Sequence, residues 1–308
     1  MSLAPIVLFA YKRPLHTKAT LDALSNNTLA KQSQLFVYID GLKDSATSED
    51  IVLHQQVISM ANSINCFAKT KVIISDSNKG LAKSVIDGVT QIVNEFKKVI
   101  VLEDDLVTSP LFLEFMNEAL FKYESEKDVA CISGYIYPLK QNFDKAFFLR
   151  GADCWGWATW EDKWNAVFEN NPEALYRELN ERSLINEFNF NGSYPYSEML
   201  EDRIKGENQS WAVLWYASAF LKNKYCLYPS KSFVHNIGND GTGTHTQDPT
   251  NKFDANLNQS SLPIFPDIIA ENRLARTTVE SFFKELTGRV ELSVTQKIKN
   301  KLKTLIGR

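Results

Sequence analysis

What the chain has little of narrows the field first. Its 308 residues include only four cysteines, Cys66, Cys131, Cys154 and Cys226, scattered without a C-x-x-C pair. That spacing excludes a disulfide scaffold and a zinc ribbon and fits a reducing compartment. No apolar stretch approaches the roughly 18 residues of a membrane-spanning helix. The opening MSLAPIVLFAYKRP has no basic leader and no cleavage site, so it reads as a buried strand rather than a signal peptide. Neither sign of charge dominates, with 34 Lys and Arg against 37 Asp and Glu. A pI near 5.9 lacks the basic face needed to grip a nucleic-acid backbone. There is no internal repeat and no low-complexity tract. A cytoplasmic globular protein without a nucleic-acid partner is the expectation, and at 44% apolar residues the chain can bury a core without staples.

What is present in the first half is alternation. Short apolar runs recur at Ile6 to Ala10, Leu35 to Ile39, Val72 to Ile74, Val99 to Leu102 and Val129 to Ile132. Stretches at helical spacing separate them, such as Val85, Ile86, Val89, Ile92 and Val93. This β/α pattern predicts a mostly parallel sheet with helices on both faces, whose ligands bind beyond the carboxyl ends of the strands. Charged and turn-forming residues follow four of the runs: Tyr11 to Pro14, Asp40 and Gly41, Asp76 to Gly80, and Glu103 to Asp105. Each set alone reads equally well as a solvated strand end, whereas four converging sets point to a site.

From about residue 146 the pattern changes. GADCWGWATWEDKW holds Trp155, Trp157, Trp160 and Trp164, then come a polar stretch to Gln209, the apolar WAVLWYASAFL, a strand-like YCLYP and the loop HNIGNDGTGTH. Residues 246 to 265 read as an extended surface excursion. Val294, Ile298, Leu302 and Leu305 recur at helical spacing among lysines, which fits either a docked terminal helix or a basic amphipathic helix on an anionic membrane.

Three adjacent carboxylates, Glu103, Asp104 and Asp105, exceed what a strand-to-helix turn needs as a cap. Hard oxygens of this kind suit Mg²⁺ or Mn²⁺, whose shell is often completed by phosphate oxygens. VLEDDL after an apolar strand resembles the DxD-type motif of GT-A glycosyltransferases, in the form found in bacterial family 2 sugar transferases and the α-mannoside N-acetylglucosaminyltransferases. PIVLFAYKRP, VYIDG, SDSNKGLAKS, GWATW and LYPSKSFVHNIGNDGTGTH extend the resemblance over roughly residues 4 to 245.

The resemblance implies an α/β GT-A (Rossmann-like) fold, mostly parallel and flanked by helices, with an acceptor-side extension and a C-terminal helix. Residues 1–145 would be the nucleotide-sugar half, 146–245 the acceptor-side and catalytic half, and 246–308 an extended segment plus the basic helix. It further implies that Asp105 binds the metal, Mn²⁺ or Mg²⁺, with His245 as a second ligand. Glu103 and Asp104 would face the nucleoside and ribose, Asp40 would contact the base, Ala10, Tyr11 and Arg13 would line the base pocket, and Lys79 would belong to the same donor site. The donor would be a nucleotide sugar, UDP-linked first, and the acceptor a glycan or lipid-linked hydroxyl in polysaccharide assembly. Residues 290–308 would supply a peripheral membrane contact on the inner face.

An inverting transferase also needs a carboxylate to take the acceptor proton. Where the related enzymes carry an Asp, this chain has Ala212 or Val213. The expectation shifts to Glu207, then Asp202 and Asp153, each of which reads singly as a solvated acid. Among the tryptophans, three suit the core and Trp155, beside a glycine turn, suits an acceptor platform. The rival readings are a catalytically inactive nucleotide or glycan binder and a sugar nucleotidyltransferase. The second is disfavoured because AYKRPLH after the first strand lacks a glycine-rich basic loop.

Overall fold

The computed structural model describes residues 2–240 and 252–288. Ten strands are β1 (Ile6–Ala10), β2 (Gln34–Ile39), β3 (Lys69–Ile74), β4 (Lys98–Glu103), β5 (Leu106–Thr108), β6 (Val129–Ser133), β7 (Phe147–Arg150), β8 (Trp157–Trp160), β9 (Tyr225–Tyr228) and β10 (Val234–Asn236). The helices are α1 (Pro14–Ser25), α2 (Ser48–Ser63), α3 (Leu81–Phe96), α4 (Phe112–Lys122), α5 (Glu161–Val167), α6 (Pro172–Glu181), α7 (Ile185–Phe188), α8 (Tyr196–Lys205), α9 (Ala212–Leu221) and α10 (Arg273–Thr287).

Eight strands form one sheet in the order β3-β2-β1-β4-β8-β6-β9-β7, and β5 pairs with β10 in a separate ribbon. The run β3-β2-β1-β4 is parallel, as the alternation requires. β8 then enters antiparallel to both β4 and β6, while β6 and β9 are parallel to each other. The result is an α/β fold on a mixed, mostly parallel sheet flanked by helices, with α10 near the chain's end.

Strand periodicity explains why both faces are covered. In β1, Ile6, Leu8 and Ala10 join one apolar cluster, and Val7 and Phe9 join the other across the sheet. Trp157, Trp160 and Trp164 are all buried, and Trp157 packs on Trp164, Trp211 and Trp215 at ring separations of 5.7, 5.4 and 5.8 Å. Trp155 instead stands on a cavity wall.

Two elements differ from the sequence expectation. The acidic triplet does not sit in a simple strand-to-helix turn, since Leu106–Thr108 forms β5 before α4 begins at Phe112. A helix at Arg273–Thr287 lies ahead of the basic stretch 290–308, which is outside the described residues, as are His245, Gly241 and Gly243. Among the described residues no helix is long and apolar enough to cross a membrane.

Candidate functional site

The carboxyl ends of β1, β2 and β4 and the loop after β3 open on one cavity of about 1080 Å³. Ala10, Tyr11 and Arg13 reach it from the turn after β1, Asp40 from the end of β2, and Asn78, Lys79 and Gly80 from the β3–α3 loop. Glu103, Asp104 and Asp105 come from the β4–β5 turn. The opposite wall holds Asp153 and Trp155, from the β7–β8 connection, and Glu207 with Ser210 from the segment before α9. The described candidates thus meet in one place, except Asp202. That residue lies on α8, outside the cavity lining, 3.6 Å from Lys205.

The acidic triplet has a partial counter-charge from within the chain. Arg13 is the N-cap residue of α1, where Pro14 fixes the helix start. Its guanidinium pairs with Asp104 and donates to Asp105 Oδ2 at 2.8 Å. Burial alone would lower the Arg13 pKa, but the two carboxylates outweigh it and raise it. Burial, then the charges of Asp105 and Asp104, push Glu103 up to about 8. Burial likewise pushes Asp104 up to about 6, against the pull of Arg13.

The β5–β10 ribbon brings a distant loop onto this turn. Leu106 pairs with Asn236, and the Ile237 N–H donates to the Asp105 carbonyl at 2.9 Å. Gly238 then packs on the acid, since a Cβ there would stand 2.2 Å from Asp105 Oδ2. The Asn236 side chain fixes the turn by accepting from Gly238 N at 2.7 Å. His16 on α1 holds the same loop through Asp240 at 3.1 Å.

Asp40 has a different position from one facing open space. Its Oδ1 accepts from Gly41 N and Lys79 N and its Oδ2 from Gly80 N, each at 2.9 Å, and Asn78 Nδ2 donates to Oδ2 at 3.1 Å. The carboxylate ties the β3–α3 loop to β2, and a base would meet it only by displacing one of these donors. Gly41 is required in that contact, as a Cβ would lie 2.4 Å from the Ser77 backbone carbon.

On the other wall, Asp153 Oδ1 accepts from Cys154 N at 2.6 Å and Trp155 N at 3.3 Å, while Tyr228 and Tyr137 donate to Oδ2 at 3.2 and 3.4 Å. Burial raises its pKa, and the four donors oppose that shift. Glu207, by contrast, is exposed and its carboxylate is not enclosed. The tyrosines escaped notice in the sequence, although Tyr228 at the end of a strand carries the same positional signal that marked the acids.

Among the described residues no group of three or more His, Cys, Asp or Glu could hold a metal ion. A preformed protein cage is therefore excluded there. Asp105 lines the cavity with a carboxylate that Arg13 engages, so a hard ion held there would have to draw its remaining ligands from phosphate oxygens and water.

No protein-family model matches the chain, and neither does any curated protein. Solved structures give partial, low-identity similarities. The mannosyltransferase PcManGT from Pyrobaculum calidifontis, in complex with GDP-Man and Mn²⁺, shares 9% identity at a TM-score of 0.31, over 44% of this chain and 36% of that one. S. aureus TarS shares 17% identity at a TM-score of 0.39, over 56% of this chain and 31% of that one. TarS 1–349 shares 13% at 0.35, over 53% and 49%. The similarity thus spans between about a third and a half of those chains.

Proposed function

We propose that the protein is a glycosyltransferase that moves a sugar from a nucleotide-diphosphate donor to an acceptor hydroxyl. The observation that carries this reading is the convergence of three helix N-termini on the cavity, at Arg13 for α1, Gly80 for α3 and Trp211 for α9. Helix N-termini offer free N–H groups and positive dipole ends to anions. They stand beside Arg13 and the acidic triplet at the ends of parallel strands, where such sheets bind nucleotides.

In this reading Arg13 and Lys79 hold the diphosphate, the turn after β1 and the Asp40 loop frame the base, and Glu103 and Asp104 face the ribose side. Asp105 holds Mn²⁺ or Mg²⁺, which when bound stabilises negative charge on the departing diphosphate. The acceptor oxygen attacks the anomeric carbon from the side opposite the diphosphate. As that bond forms, the bond to the leaving oxygen breaks and its electron pair goes to the diphosphate, inverting the centre. Glu207, exposed on the acceptor wall, takes the hydroxyl proton. Asp153 is less suited to that task because four donors already engage its oxygens.

A second reading, a binder without turnover, is favoured by one observation. The first residues of α9, Ala212 and Val213, place no acid at the cavity. Thermal unfolding with UDP, GDP, CMP and ADP, each with Mn²⁺ or chelator, tests the donor site. A nucleotide at 100 times its dissociation constant adds about 2.7 kcal/mol. Metal-dependent stabilisation by one nucleotide is expected, and Asp105→Ala should abolish the metal-dependent part. Glu207→Gln should then remove turnover while nucleotide binding stays, whereas a wild type that binds without turnover supports the second reading.

A further inference from the structure

The cations of the cavity are unevenly placed. Lys12, Arg13, Lys43 and Lys79 all belong to the half built from β1 to β4, where they stand among Asp40, Asp50 and the acidic triplet. The half formed after residue 134 has no Lys, Arg or His among its described lining residues, and carries two acids, Asp153 and Glu207. An anion entering that half finds no cationic side chain among the described lining residues, only the α9 N-terminus, and meets the buried Asp153 carboxylate, where burial strengthens the repulsion.

The same half is walled by aromatic rings. Trp155 is held edge-on between Tyr135 at 4.6 Å and Phe253 at 5.8 Å. Tyr194 packs on Tyr196 and Phe283, each at 4.7 Å. Such rings match the apolar C–H faces of a pyranose, which a flexible chain or a small anion does not present.

The polar groups set a further condition. Tyr228 donates its hydroxyl proton to Asp153 at 3.2 Å, while the Tyr137 hydroxyl is shared between Asp153, at 3.4 Å, and Tyr196. The Tyr228 hydroxyl can then offer a ligand only its lone pairs, so it accepts and does not donate. A sugar hydroxyl supplies the matching proton, whereas a phosphate or carboxylate has none to give. We infer that this half of the cavity is a subsite for a neutral pyranose, with a hydroxyl at Tyr228 and its C–H face on the aromatic wall, and that it rejects phosphorylated, sialylated and uronic-acid acceptors. The assignment of that sugar as acceptor rests on the glycosyltransferase reading. The sugar can belong to a soluble glycan or to a glycolipid headgroup.

The test uses the full chain on a glycan array of neutral, sialylated, uronic-acid and phosphorylated members, with a neutral glycolipid in zwitterionic vesicles as a parallel probe. Binding is expected to neutral members alone, on the array or on the vesicles. Trp155→Ala should weaken it at least tenfold while the nucleotide-induced thermal shift is kept, and Tyr228→Phe gives the same reading if the first variant does not fold. Glu207→Lys should admit anionic glycans. Preference of the wild type for anionic members overturns the inference, as does absence of any neutral-glycan binding in a protein that still binds nucleotide. Neutral-glycan binding without nucleotide binding leaves the subsite standing and removes the transferase reading instead.

Discussion

Glu103 stands at the end of β4 against two further carboxylates, and only one guanidinium is shared among the cluster. Its charged form is disfavoured in the fold, so the folded state binds more protons than the unfolded state between pH 4.5 and about 8. Stability must therefore fall as pH rises through that window. In chelator and without nucleotide, Glu103→Gln should lose less melting temperature than the wild type between pH 5 and pH 8. A difference of about 1 kcal/mol shows as roughly 2–4 °C in domains approaching this size. Equal pH slopes in the two proteins would contradict it. At this scale the acids were legible because three in a row have no structural excuse. The role of Arg13 was not, since nothing in AYKRP tells a base-pocket residue from a counter-ion. The full hydrogen bonding of Asp40 was hidden too, because three of its four partners are backbone amides, which every sequence has.

Among the elements, β5 and β10 were the hardest to foresee and matter most to the site. A three-residue strand is too short for periodicity to register, and the two are separated in sequence by everything from α4 to β9. Their pairing nevertheless sets Gly238 against Asp105. Gly238→Ala should push that carboxylate aside. The expected result is loss of the metal-dependent part of nucleotide stabilisation, with the metal-free part and the melting temperature without ligand nearly unchanged. A drop in the metal-free part as well would mean that the loop holds the nucleotide rather than the acid. The longer elements were readable where burial follows a period, as in α3, whose Val85, Val89, Ile92 and Val93 are all buried.

For the whole molecule, the parallel half followed from alternation, while the reversal at β8 did not. GWATW is apolar and aromatic, and composition alone does not reveal strand direction. Of the two sequence readings of the basic stretch 290–308, a docked terminal helix and a helix on an anionic membrane, we propose the second. Deleting residues 290–308 should reduce sedimentation with anionic vesicles and leave it unchanged with zwitterionic ones. Equal sedimentation of full-length and shortened protein would end the membrane proposal.

The place of β8 also constrains how the chain can be made. β6 leaves the ribosome before either of its neighbours, because β8 and β9 both lie later in the sequence. Until Trp157–Trp160 emerges, β4 presents an open, apolar edge next to a parallel sheet that is otherwise able to close. A nascent chain stalled near residue 145 is thus a sheet with an unprotected border, the kind of surface on which other strands add.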